Sequence, residues 1–332
     1  MDLKKTITTA TKVIIPLAFG VLLIWLLYRE MDLEAIMTVI KQGIRYEIIL
    51  FSLIFGLLAN ITRAYRWGLL IESIGSKCKK SNLIYSVLGT YALNLLFIRI
   101  GEIWRCGVIA KYEKVSFTKL IGTLLIDRIS DTIAVGTLTL IIFFFNIKFF
   151  KQFLADNPEL LSTFQDKVNT PLTYTIIILI ALLIWFVFRH WRNTAPILKT
   201  KAMLKNVWEG IQSIGVMKKK RLFIIQTILI WLGYYLFFYI TFYAFDFTKD
   251  LGPWIGLITF VMSSIAIAAP VQGGLGAWHF MVIATLGLFG VSKTDAAAFA
   301  LVVWTIQNAW TGMCGIFGVI ALPIVNKAPK NV

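Results

Sequence analysis

The sequence predicts an all-α polytopic membrane protein, with about six full spans plus two broken or re-entrant hairpins. The hairpins are expected to enter from opposite faces, as an inverted repeat. Three observations carry this. The 332 residues are 58% apolar and 15% charged, far to the apolar side of ordinary globular chains. Several apolar runs reach or approach the roughly 18–20 residues that cross a bilayer. The basic residues gather between those runs. The runs do not alternate polar with apolar, as strands of a transmembrane barrel would. A net charge of +16 would suggest nucleic acid in a soluble protein. Here the positive-inside bias accounts for it, and no nucleic-acid partner is expected.

The elements follow in order. Val13–Tyr28 comes after Lys4, Lys5 and Lys12. It reads as an uncleaved first helix, because Tyr28-Arg29-Glu30 offers no small-residue cleavage site. Leu33, Ile36, Ile40 and Ile44 form a helical stripe behind Asp32, a plausible N-cap. The stripe suits an interfacial helix or one packed on the protein itself. Ile48–Leu70 is the second span, and Leu83–Lys111 is a broken region. Leu120–Phe145, Leu172–Phe188 and Leu222–Phe245 are further spans. Trp254–Phe289 is a second broken region, and Ala296–Val325 is the last span.

The loops orient these elements. Arg189 to Arg221 holds nine Lys/Arg and one acid, Glu209, so this basic loop is expected in the cytoplasm. It also carries an amphipathic stripe, Leu204, Val207, Trp208, Ile211 and Ile214. Asn146–Thr173 is charge-balanced and Asp246–Asp250 is acidic, as outer loops are. Both termini, with Lys77, Lys79 and Lys80, fall inside. Counting crossings, Leu83–Lys111 starts and ends inside, whereas Trp254–Phe289 starts and ends outside. Gly101–Asp131 also aligns with Gly276–Gln307, bringing Val115-Ser116 onto Val291-Ser292. One domain over 1–332 is expected, with a pseudo-repeat of 48–145 and 222–325. Gly-interrupted segments at corresponding places in two halves point to a transporter's central site.

Charges at membrane depth are costly and mark candidate sites. Arg99, Glu102 and Arg105 are three residues apart. On a helix Glu102 reaches either arginine, leaving net positive charge, and Gly101 permits a turn or a close approach. An interfacial ion pair is the competing reading. Arg63 and Arg66 share a helix face, as binding residues or as interface anchors. Asp127, Arg128 and Asp131 lie in an otherwise apolar span. The two acids share a face and need either a cationic partner, from Arg128, Arg99 or Arg105, or protonation. A structural salt-bridge lock is the rival reading. In the second half, Pro270, Gly273, Gly274 and Gly276 break the chain before a half-helix near Ala277, whose positive end would face an anion. Gln272, Trp278 and His279 are candidates to line that place, and a plain tight turn is the alternative. Gln307 and Asn308 read as helix ties.

Cys78, Cys106 and Cys314 form no CxxC, and His190 and His279 are the only histidines. No metal or other cofactor is expected. No Ser or Cys pairs with a histidine at nucleophile spacing, so the chain is not expected to be an enzyme. The sum is a cationic cavity between two inverted halves. A lipid with an anionic headgroup, such as a phosphate, suits it, since arginine forks fit phosphate oxygens.

The stretches "RAYRWGLLIESIG", "IRIGEIWRCGVIAK", "IDRISDTIAVG" and "PVQGGLGAWHF" resemble the landmarks of the lysylphosphatidylglycerol synthase transmembrane family, a flippase-like domain. The resemblance covers nearly the whole chain. Its most specific parts are Gly-Glu-x-x-Arg at Gly101–Arg105 and Pro-x-x-Gly-Gly-x-Gly at Pro270–Gly276. It implies the handling of lipids across the bacterial cytoplasmic membrane. A stand-alone member is expected, without the aminoacyl-transferase domain of the full synthases. Phe97-Ile98 stands where the family often has a proline, and His279 where it often has a glutamate. The resemblance also admits a non-transporting accessory or scaffold for a lipid-modifying enzyme or glycosyltransferase. An intramembrane enzyme acting on polyprenyl-phosphate through Asp127 or Asp131 is a third reading.

Overall fold

A computed structural model describes residues 18, 21–22, 24–29, 31–41, 43–97, 99–147, 217, 219–267 and 271–326. The span Leu172–Phe188, the stripe 204–214, most of the basic loop and half of the first apolar run lie outside the described residues. Among the described residues the secondary structure is entirely helical. We label the helices α1 (Leu33–Lys41), α2 (Tyr46–Ser73), α3 (Lys80–Leu96), α4 (Ile100–Glu113) and α5 (Phe117–Phe145). After the undescribed segment come α6 (Lys220–Tyr239), α7 (Gly252–Ala266), α8 (Ala277–Leu288) and α9 (Lys293–Val325). A short 3₁₀ turn, Ile240–Ala244, extends α6. Among the described residues, four helical stretches are long and apolar enough to cross a bilayer: α2, α5, α6 with its 3₁₀ turn, and α9. The chain is a multi-pass membrane protein.

Each broken region is a helix pair. α3 and α4 are separated only by residues 97–99, and α7 and α8 by a glycine turn. The two ends of the first pair meet, because Glu113 Oε1 accepts from the Lys79 N–H at 3.0 Å and from Asn82 Nδ2 at 2.6 Å. Asn326, just beyond α9, joins them through Asn82, and Lys219 pairs with Glu72 at 2.8 Å. These contacts define one end of the bundle. The opposite end is tied by Arg45 with Asp246 and by Trp254 Nε1 donating to Asn146 Oδ1. Lys79, Lys80, Lys114 and Lys119 stand at the first end, on helix termini or loops.

Small residues decide which helices touch, as is usual where lipid gives no hydrophobic drive. Gly315 and Gly318 let α9 lie against the α3 backbone. α1 begins as the sequence suggests, with Asp32 Oδ1 accepting the Ala35 N–H at 3.0 Å. Of its two readings, packing on the protein holds for the inner half of the stripe. Ile36 is buried and Ile40 and Ile44 pack beside it, while Leu33 stays exposed.

Cys78 lies in the loop between α2 and α3. Burial, then the neighbouring Glu113 carboxylate, pushes its thiol up to about 12. Only thiolate reacts, so at about pH 7.5 Cys78 should label with maleimide roughly a thousandfold more slowly than an ordinary thiol. A variant with Cys78 as the sole cysteine, compared with one carrying only Lys77→Cys, measures this. Equal rates would show that the loop end is open.

Candidate functional site

The charged residues of α2, α4 and α5 converge inside the bundle. α2 turns Arg63 and Arg66 inward because they sit three residues apart, on one face. Arg66 is fully buried. Its Nε and Nη2 both donate to Asp127 Oδ1, at 3.1 and 2.6 Å, and Nη2 also reaches Asp131 Oδ1 at 2.7 Å. Its Nη1 donates to Thr227 of α6 at 3.1 Å. Arg105 reaches from α4 to Asp127 Oδ2 at 2.8 Å. Its guanidinium lies 4.4 Å from the centre of the Trp67 ring, a cation–π contact in a desolvated place. Arg63 donates to Asp131 Oδ2 at 2.5 Å and to the Tyr234 hydroxyl at 3.1 Å. Tyr234 spends its own proton on Asn60 Oδ1 at 2.7 Å. The 2.8 Å contact between the Tyr91 and Tyr234 hydroxyls is therefore donated by Tyr91.

Arg128 is held differently. Its contacts to Glu102, Asp127 and Asp131 are 3.4, 3.3 and 3.5 Å. The other arginine–aspartate pairs of the cluster run from 2.5 to 2.8 Å. The Arg128 side chain is 38% exposed, and its Nε is buried without a partner among the described residues. Four guanidinium groups thus face three carboxylates, leaving one positive charge. Arg128 is the loosely held member.

A cavity of about 380 Å³ opens beside this cluster, within the size range of small-molecule sites. Arg63, Arg128 and Asp131 give it one charged wall. Trp231, Phe238 and Phe260 of α6 and α7, with Trp278 and Trp304 of α8 and α9, give it an aromatic one. Ser263, Ser264, Asn308 and Thr311 add uncharged polar groups. Both halves of the sequence therefore contribute.

The expected residues divide. Arg63, Arg66, Glu102, Arg105, Asp127, Arg128 and Asp131 form one connected network. Arg99 does not join it. It is the exposed residue before α4, in a left-handed conformation with φ 59°. α4 starts only at Ile100, so Arg99 cannot sit on a helix face with Glu102 and Arg105. Glu102 turns to Arg128 on α5 instead of pairing within its own helix. Arg105 stands behind Asp127 and does not line the cavity. Gly101 is a contact point: its N–H donates to Asn94 Oδ1 at 2.9 Å and its carbonyl accepts from Thr90 at 3.3 Å.

In the second half, Gly273, Gly274 and Gly276 have φ of 58°, 74° and 81°, a path that L side chains rarely follow. The break is thus a glycine-dependent turn. Gly273 borders the cavity, and its carbonyl accepts from Trp304 Nε1 at 2.9 Å. Trp278 borders it too, and Gln272 is described only as backbone of the turn. His279 does not line the cavity. It is fully buried among the rings of Tyr28, Trp278 and Trp304, at 6.1, 5.7 and 5.2 Å. Gln307 ties α9 to α6 through the Phe237 carbonyl at 2.6 Å and also borders the cavity. Asn60, Tyr91, Tyr234, Ser263, Ser264 and Trp304 were not anticipated. Asn60 carried a signal, standing three residues before Arg63 on the same face, and so did the Ser263–Ser264 pair within an apolar helix. The tyrosines carried none.

No curated protein matches the chain. A family model for the lysylphosphatidylglycerol synthase TM region matches residues 13–314, so the chain belongs to that family.

Proposed function

We propose that this protein moves a lipid with an anionic, phosphate-bearing headgroup across the cytoplasmic membrane. The headgroup occupies the cavity, on Arg128 and Arg63, and the apolar chains remain toward the bilayer. One observation carries the reading. Arg128 is only loosely paired, and it faces a cavity whose other wall is aromatic and comes from the second half of the chain. A lock made only for stability would need no such space. That separates this reading from a non-transporting accessory protein.

In this reading α3–α4 enters from the cytoplasmic face and α7–α8 from the outer face, with both termini cytoplasmic. The lysines at the α3–α4 end agree with the positive-inside bias. Ser116 and Ser292, matched in the sequence alignment, are both N-cap positions of a long helix, α5 and α9. This correspondence supports an inverted repeat, and with it access alternating around a fixed central site.

The test is lipid scrambling in proteoliposomes with fluorescent phosphatidylglycerol and phosphatidylcholine. Arg128→Gln removes one charge-assisted contact, about 1.5–3 kcal/mol. Movement of the anionic lipid should fall roughly 10- to 100-fold, with normal elution of the purified variant. Unchanged anionic transport in Arg128→Gln would remove the proposed site.

A further inference from the structure

The same cavity also specifies the charge class of its guest, an inference that rests on the function proposed above. We infer that it selects a phosphodiester monoanion whose headgroup substituent is uncharged and bears hydroxyl groups, over phosphomonoester dianions and zwitterionic headgroups.

The connected network holds Arg63, Arg66, Arg105 and Arg128 against Glu102, Asp127 and Asp131. Among the described residues, the charged ones that border the cavity are Arg63, Arg128 and Asp131, all members of this network. While the cavity holds water, one surplus positive charge is hydrated. When a headgroup displaces that water, the residual charge of the complex must be borne in a poorly polarisable place. A monoanion brings the complex to zero. A dianion leaves one negative charge beside Asp131. A zwitterion leaves the positive charge uncancelled.

The second observation is independent of the first. The hydroxyl groups remote from the arginines have already spent their protons on backbone carbonyls, whereas Asn308 keeps one amide hydrogen and Trp231 Nε1 has no partner among the described residues. Ser263 and Ser264 both donate to the Phe260 carbonyl, at 2.8 and 2.7 Å. Asn308 donates to the Trp304 carbonyl at 2.9 Å, and Thr311 to that of Gln307 at 2.7 Å. What the three hydroxyls offer the cavity is acceptor oxygens, beside the remaining N–H donors of Asn308 and Trp231. Such a mixed wall calls for groups that both donate and accept, which a hydroxyl does and an ammonium does not. Hydroxyls and an ammonium both donate, and an ammonium would also find aromatic faces here. The charge count decides between them, because an ammonium restores the surplus that the phosphate had cancelled.

The experiment titrates the purified full-length protein in detergent with dihexanoyl lipids, followed by calorimetry. The probes are phosphatidylglycerol, phosphatidylethanolamine and phosphatidic acid. The pH is about 8.5, where a phosphomonoester carries close to two charges. Phosphatidylglycerol should bind at least about tenfold more tightly than either of the others. Glycerophosphoglycerol, the same headgroup without chains, should bind at least about tenfold more weakly than its lipid. Glu102→Gln adds one net positive charge to the network at a residue outside the cavity lining, whose ion pair with Arg128 is long, at 3.4 Å, and should move the preference toward phosphatidic acid. Arg128→Gln should abolish the preference of phosphatidylglycerol over phosphatidylethanolamine. Equal binding of the three lipids, or an order that Glu102→Gln leaves untouched, overturns the charge assignment while leaving a lipid site. Tightest binding of phosphatidylethanolamine overturns the hydroxyl assignment. Equal binding of glycerophosphoglycerol makes the guest a soluble phosphodiester and overturns the lipid. If none of the probes binds, the proposed function fails, and this inference fails with it.

Discussion

Asp127→Ala should cost about 3–5 kcal/mol of stability, the range for removing one partner of a buried ion pair. Asp127 is fully buried and accepts from Arg66 and Arg105, both essentially buried themselves. Its loss leaves Arg105 without a carboxylate and Arg66 with Asp131 alone, which Arg63 already claims. Typical native stabilities are only about 5–15 kcal/mol, so the variant should aggregate or unfold in detergent at temperatures the parent tolerates. Glu47→Ala, at an exposed position, is the control and should change little. Combining Asp127→Ala with Arg105→Met should recover part of the loss, because it removes the orphaned charge. A thermal scan of the three variants decides the matter. If Asp127→Ala melts with the Glu47→Ala control, the cluster does not hold α2, α4 and α5 together.

How much of this was legible follows from what each residue costs. Charges inside apolar runs stand out in a sequence because bilayer burial penalises them. For that reason Arg63, Arg66, Arg105, Asp127, Arg128 and Asp131 could be gathered as a set. Their pairing could not, since it depends on how α2, α4 and α5 are rotated about their axes. Helical spacing suggested that Glu102 would serve Arg99 or Arg105, but an interhelical contact with Arg128 took it. Arg99 was misplaced for a local reason. The chain enters a left-handed turn there, and nothing around Phe97-Ile98-Arg99 resembles the glycine such a turn usually uses. The glycine turn at residues 273–276 was legible because only glycine follows those angles cheaply. His279 shows the limit of proximity in sequence. It directly follows the cavity residue Trp278, but one helical step is about 100°, which turns it into the aromatic core. Tyr91 and Tyr234 gave no sign among 11 tyrosines, because their role comes only from the hydrogen-bond chain that Arg63 completes.

Gly101→Ala should separate the arms of the first hairpin. A Cβ on Gly101 would stand 2.2 Å from the Thr90 carbonyl oxygen and 2.8 Å from Asn94 Oδ1. The first of these is backbone of α3, so relief requires α4 to move as a body. Overpacking of this kind costs about 1–3 kcal/mol or more, and two hydrogen bonds between the arms lengthen with it. The damage would not stay local. α4 carries Glu102 and Arg105, so shifting it draws Arg105 from Asp127 and Glu102 from Arg128. The variant should therefore lose selectivity for anionic lipids as well as melting lower. Gly107→Ala on the same helix is the matched control, since its Cβ would meet nothing within 4 Å. It should be neutral or stabilising by up to about 1 kcal/mol, the helical preference of alanine over glycine. Should both substitutions lower the melting midpoint alike, helix propensity would be at work, and the close approach of Gly101 to Thr90 would not be what sets the position of Arg105.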